Sequence, residues 1–145
     1  MTRQLRRLLA FTWAAPCSLI GLCFGALALI VGGRGARVGG VLEFSFPTHH
    51  GLGRSIAARL PFGAITFGHV VVGTAPGQLA LLRAHERVHV RQYEILGPLF
   101  LVAYPLASIL AAARGRPPYR GNWFEVQARR AVAADGGAAA GQHGD

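Results

Sequence analysis

Lysine is absent, and all fifteen basic residues of the chain are arginine. Alanine and glycine are abundant, so the bias follows the base composition of a GC-rich genome and carries no message about guanidinium chemistry. Charge of either sign is scarce. Charged residues make up 14% of the chain, against roughly 25% in an average soluble domain. Hydrophobic residues make up 52%, and the mean hydropathy is +0.36. That balance excludes an intrinsically disordered chain and argues against an ordinary cytosolic domain. Cysteine is rare too. Cys17 and Cys23 share one apolar run with no partners elsewhere, which excludes a disulfide framework and a thiolate zinc site.

Six acidic residues against fifteen arginines leave a net charge of +9. Such a balance suits either nucleic acid or a membrane surface. The arginines flank apolar stretches: Arg3, Arg6 and Arg7 precede one, and Arg114, Arg116 and Arg120 follow another. No basic stripe interleaved with aromatics is present, so a membrane is the expected partner and nucleic acid is not. The 145 residues allow one domain.

Residues 8–33 carry no charge, and this exceeds the roughly 20 residues that cross a bilayer core. The expectation is a transmembrane helix over 8–33 that follows a basic N-terminus, 1–7, and anchors the protein in the membrane. A cleaved signal peptide with secretion is the alternative, since Ala26 and Ala28 are spaced like a cleavage site. The length favours the anchor, because a signal's apolar core is about 7–15 residues.

Beyond the anchor, 38–134 reads as one domain and 135–145 as a disordered Gly/Ala tail. Val41–Phe46 alternates apolar and polar residues and stops at Pro47, which predicts a strand. Residues 63–73 predict a second strand, closed by a turn at Thr74–Gly77. A short helix is expected over 55–60, an amphipathic helix over 78–96, an apolar helix over 98–113, and a last short helix capped by Asn122. The fold class is α+β, mainly α. It comprises an N-terminal transmembrane helix, a small β-hairpin or sheet, an active-site helix, an apolar fold-back helix and a short C-terminal helix.

The helix over 78–96 carries His85-Glu86-Arg87-Val88-His89. At 100° per residue, Leu81, Leu82, His89, Gln92 and Leu96 fall within about 60° of His85, with Arg83, Arg87, Arg91 and Glu94 opposite. Histidines at i and i+4 can reach one Zn²⁺, and Glu86 beside them can take a proton from a metal-bound water. With six His and four Glu, a chance match in the chain is below about one in a hundred. A structural reading, a pair of hydrogen-bonded core histidines, remains as the contrast. The arginine row is expected to face solvent or lipid headgroups.

A zinc site of this kind needs a third protein ligand and an open fourth position. Glu94 is on the wrong side of the helix. Glu43, on the first strand, stays open. Glu125 is favoured if the chain turns back at Gly97-Pro98, because the loop 114–121 then delivers the last helix near His85. Were 95–113 to cross the bilayer fully, Glu125 would sit about 30 Å away. Gln92 is placed to orient His89, and Tyr93, Tyr119 and His69 are weaker candidates to stabilise an oxyanion.

His85-Glu86-x-x-His89 with a downstream glutamate in a helix resembles the gluzincin branch of zinc metallopeptidases. Ala84–Phe100 together with Pro118–Glu125, Ala128 and Arg129 resembles a family of small bacterial membrane-associated proteins with a zincin-like core. The likeness covers about residues 63–130. It implies His85, His89 and Glu125 as zinc ligands and Glu86 as the base, and supplies no substrate; the expected activity is metal-dependent hydrolysis of peptides by a zinc-activated water. A non-catalytic membrane protein with a structural or vestigial metal site is the alternative.

Overall fold

The computed structural model describes residues 3–141. Helix α1 spans Arg3–Ile30, so the basic N-terminal residues from Arg3 onward are helical, and the helix stops short of Gly33. Strands β1 (Arg34–Val38) and β2 (Val41–Ser45) follow, then helix α2 (Leu52–Ala57) and strands β3 (Ala64–Phe67) and β4 (Val70–Gly73). Helix α3 spans Pro76–Leu96. A 3-10 turn at Gly97–Leu99 leads to α4 (Phe100–Ala113), and α5 spans Trp123–Gly141. The α+β, mainly α class is therefore what the chain adopts. The last helix runs beyond the expected short segment into the region read as tail, and 142–145 lie outside the described residues.

The sheet is larger than a hairpin. Its order is β1-β2-β4-β3, with β2 and β4 parallel and the other pairs antiparallel. The run 63–73, expected as one strand, is two strands joined at Gly68-His69. Gly68 takes φ +59 there, a conformation that favours glycine.

Side chains alternate across this sheet with period two. Val70 and Val72 pack with Ala28, Phe46 and Ala57 on the α1/α2 side. Val71 and Val41 pack with Leu79 and Val90 on the α3 side. The sheet is thus a middle layer between α1 and α3.

α1 is built into this layer. Ala14, Cys17, Gly21, Gly25 and Ala28 are buried at spacings of three and four, one stripe down a helix. A Cβ added at Gly21 would strike Val70, and one at Gly25 would strike the Phe44 ring. Small residues let the helix lie directly on the strands. Ser18 Oγ accepts the His69 backbone N–H at 3.0 Å, and the Trp13 indole donates to Ile95 O at 3.3 Å. The other faces stay apolar and exposed, with Leu19 at 63% and Ile30 at 82%. Gly25→Leu should force helix and sheet apart and cost about 1–3 kcal/mol. Thermal unfolding in detergent reads this as a lowered midpoint.

Gln4–Ile30 and the helical run Pro76–Ala113 are both long and apolar enough to cross a membrane. The second run is broken at Gly97, whose φ of +55 and contact with the Trp13 ring leave no room for a Cβ. The chain folds back at this point, bringing Phe100 against Tyr93 and Tyr104 near His89, with ring centroids 4.5 and 6.2 Å apart. α4 does not pair closely with α3 on its return, since few residues of the two helices meet. Past Tyr104, α4 packs on α5 and its capping residue, and α5 lies along α3. Val102 and Ile109 of α4 are 59% and 63% exposed.

Candidate metal centre

Histidines one turn apart on a helix emerge from the same face. On α3 the Nε2 atoms of His85 and His89 stand 3.1 Å from each other. The third member of the group comes from α5. Asn122 caps that helix, its Oδ1 accepting the Phe124 N–H at 2.9 Å. Its amide donates to Tyr104 O and Ser108 Oγ, so the residue that starts α5 also ties it to α4.

Glu125 stands three residues on, where a capping-box side chain would reach back to the cap. Here it turns to the histidines. Its Oε1 lies 3.1 Å from His89 Nε2 and its Oε2 3.2 Å from His85 Nε2. Tyr104 donates to Oε1 at 2.7 Å. Burial pushes the Glu125 carboxyl up, but its contacts with His85, His89 and Tyr104 outweigh burial and hold it well below the usual carboxylate range. The start of α5 favours the same negative charge.

The orientation of His89 is set from behind. Gln92 Nε2 donates to Phe124 O at 3.2 Å and to Gln127 Oε1 at 2.7 Å. A backbone carbonyl can only accept, so the Gln92 atom facing His89 Nδ1 at 2.8 Å is Oε1. The ring hydrogen then sits on Nδ1, and a neutral His89 presents a bare Nε2 to the carboxylate. Two acceptors 3.1 Å apart repel unless a cation or a proton stands between them. Glu125 Oε2 is buried and, among the described residues, has no hydrogen-bond donor: His85 Nε2 is near but not in hydrogen-bond geometry, and the Arg129 guanidinium stands 3.7 Å away as an ion-pair partner.

A tetrahedral ion with bonds of about 2.0 Å holds its ligand atoms roughly 3.3 Å apart. With one ligand atom taken from each residue, the three lie within 4.8 Å of one another, a grouping that could hold a metal ion. Gln92→Ala should lower metal affinity by about 10–100-fold, as loss of an outer-shell partner does. A competition titration with a chromophoric chelator would measure it.

Glu86 is 5% exposed and lines the same cleft. Its Oε2 accepts the Thr66 hydroxyl at 2.7 Å. Burial raises its carboxyl above the ordinary value, with Thr66 and the two imidazoles pulling the other way. The cleft holds about 1070 Å³ between β3, α3, α4 and the start of α5, and Arg120 and Arg129 also line it. β3 is an edge strand and forms one wall.

Several expectations are corrected. Glu43 is not free to ligate: its buried carboxylate takes Arg83 Nε and Nη2 at 3.0 and 2.9 Å and Arg87 Nη2 at 3.2 Å. Arg87 also donates to Val38 O and Gly39 O. Two of the three arginines thus clamp the β1–β2 hairpin on α3, and only Arg91 is exposed. Leu81, placed on the metal face by the helical wheel, is 79% exposed. His69 faces away, bonded to Glu94 at 3.1 Å and stacked on Phe11. Tyr93 and Tyr119 do line the cleft.

Thr66 and Tyr104 were missed. Thr66 had a signal, as the polar residue in an apolar strand. Tyr104 had none, since its partner lies 21 residues away. Comparison with protein-family models, curated proteins and solved structures finds no match to this chain.

Proposed function

We propose that the chain is a membrane-anchored, zincin-like zinc protein that hydrolyses peptide bonds. The observation that carries this is the convergence of His85, His89 and Glu125 at 3.1–3.2 Å, with Glu86 beside them in an open cleft. Two nitrogens and one carboxylate are a zinc donor set that leaves one position open. When bound, the ion supplies Lewis acidity and lowers the pKa of a coordinated water towards about 7.

The remaining steps belong to the protein. Glu86, desolvated and oriented by Thr66, takes a proton from the attacking water and passes it to the departing amine. Gln92 keeps the His89 ring in its ligating tautomer. Tyr104 holds Glu125. β3 ends the sheet on the cleft wall, and if its outer edge is free an extended peptide can pair with it by strand addition and pass the three ligands.

The apolar outer faces of α1 and α4 support a membrane location. The integration of α1 into the fold supports its retention over cleavage, since a chain starting near Leu29 would lose the helix that covers Val70 and Phe44. The runner-up is a non-catalytic membrane protein. It is favoured by one fact: a proton on His89 Nε2 satisfies the same contacts as a metal. The test is direct. The protein should stay with membranes through a carbonate wash and cleave a peptide library once solubilised. Cleavage should stop with a chelator and return with zinc. Cleavage indifferent to chelation would remove the metal from the chemistry.

A further inference from the structure

A second cavity, of about 190 Å³, lies beside the metal cleft and shares Phe62, Ile65 and Phe67 with it. Phe24 and Leu27 of α1 form one side, and Ile56 and Leu60 at α2 form another. Its walls expose carbon only. Phe24 and Leu27 are 46% and 40% exposed, so the crevice reaches the outward face of α1. Phe24 stacks on Phe67 with centroids 5.4 Å apart, joining that face to the cleft wall.

We propose that this crevice is a binding site for a saturated alkyl chain, the acyl tail of an amphiphile whose polar end lies in the metal cleft. The wall chemistry selects the occupant. A peptide segment brings an N–H and a C=O with every residue, each costly to bury unpaired, and no wall atom can pair them. Water gains nothing from dry walls. An alkyl chain has no polar group to satisfy, and each methylene buried tightens binding about fourfold. Position explains the rest. The outer end of the crevice meets the apolar face of α1, where bilayer chains would lie; the crevice lies on the α1 side of β3 and the metal cleft on its α3 side, and the two adjoin around this edge strand at Phe62, Ile65 and Phe67. A bilayer lipid and a lipid-modified polypeptide carry the same chain. In naming a substrate class the proposal rests on the hydrolase reading, but the alkyl site stands without metal, and the test reads the site alone.

Full-length protein in phosphatidylcholine nanodiscs is irradiated with dodecanoic acid bearing a terminal diazirine, digested, and mapped by mass spectrometry. Adducts are expected on the segment 56–67. Leu60→Trp and Ile56→Trp, both at partly exposed or half-buried wall positions, should fill the crevice and cut these adducts at least about fivefold. Leu106→Trp, on the exposed side of α4, should leave them unchanged. A second arm puts the diazirine in the phosphatidylcholine acyl chain. Crevice adducts from that probe assign the site to bilayer lipid, and adducts from the free acid alone assign it to a separate amphiphile such as an acylated polypeptide. Labelling confined to the outer faces of α1 and α4, or unchanged in both filled variants, would overturn the proposal.

Discussion

Protein purified in detergent without chelator should carry about one zinc ion per chain, and His85→Ala or His89→Ala should bring the metal to background. Each histidine supplies one of only three donors. Losing one should therefore cost more than the roughly 10–100-fold in affinity that follows loss of an outer-shell partner. Glu125→Gln should weaken binding substantially for a second reason. It removes the charge that offsets the ion, in a site where Glu125 is 2% exposed and water cannot substitute. Glu43→Gln is the control. It breaks the clamp with Arg83 and Arg87 and should lower the unfolding temperature while leaving zinc content at the wild-type level. Elemental analysis by mass spectrometry reads all four variants. Full zinc in both histidine variants would put the metal elsewhere. Wild-type protein without zinc, after growth in zinc-replete medium, would favour the protonated His89–Glu125 pair and the non-catalytic alternative.

The grouping of His85, His89 and Glu125 was legible in the sequence in two steps. His85 and His89 lie one turn apart, and the 3.6-residue period alone puts them on one face. Glu125 became legible through Gly97-Pro98, a break that ends one helix and lets the next fold back. The support around these residues was not legible, because it is made by partners distant in the chain. Nothing in an apolar run such as 98–113 distinguishes Tyr104, which reaches Glu125, from its neighbours. The same holds for Arg83 and Arg87, whose partner Glu43 is 40 and 44 residues away. A like-charged row on a helix normally faces solvent, and here the pairing residue lies on a strand that the helix covers.

The sheet was half legible for a similar reason. β2 alternates because one of its faces meets α3 and the other α1. β1 does not alternate, since it is an edge strand exposed along most of its length. The 63–73 run hid its turn because both strands of the hairpin are apolar. In α1 the small-residue stripe was present in the letters but submerged in a run where nearly every residue is apolar. Length indicated a helix that could cross a bilayer. Only packing against Val70 and Phe44 shows that one face belongs to the domain.

Glu86→Gln should retain zinc and lose hydrolysis by about 10²–10⁴-fold, the range removed with a general base. The amide keeps nearly the shape of the carboxylate and can still accept from the Thr66 hydroxyl, now 2.7 Å away. It cannot take a proton. Because Glu86 projects beside the triad without belonging to it, the donor set of His85, His89 and Glu125 is untouched. The contrast with Thr66→Val separates a base from a residue that merely fills the cleft. That variant leaves the carboxylate in place but unoriented and should lose less activity than Glu86→Gln. Rates on a cleaved library peptide, measured beside zinc content, decide the matter. Equal activity in Glu86→Gln and wild type, with zinc bound in both, would show that another group moves the proton. Tyr119, 58% exposed at the same cleft, would then be the first to examine.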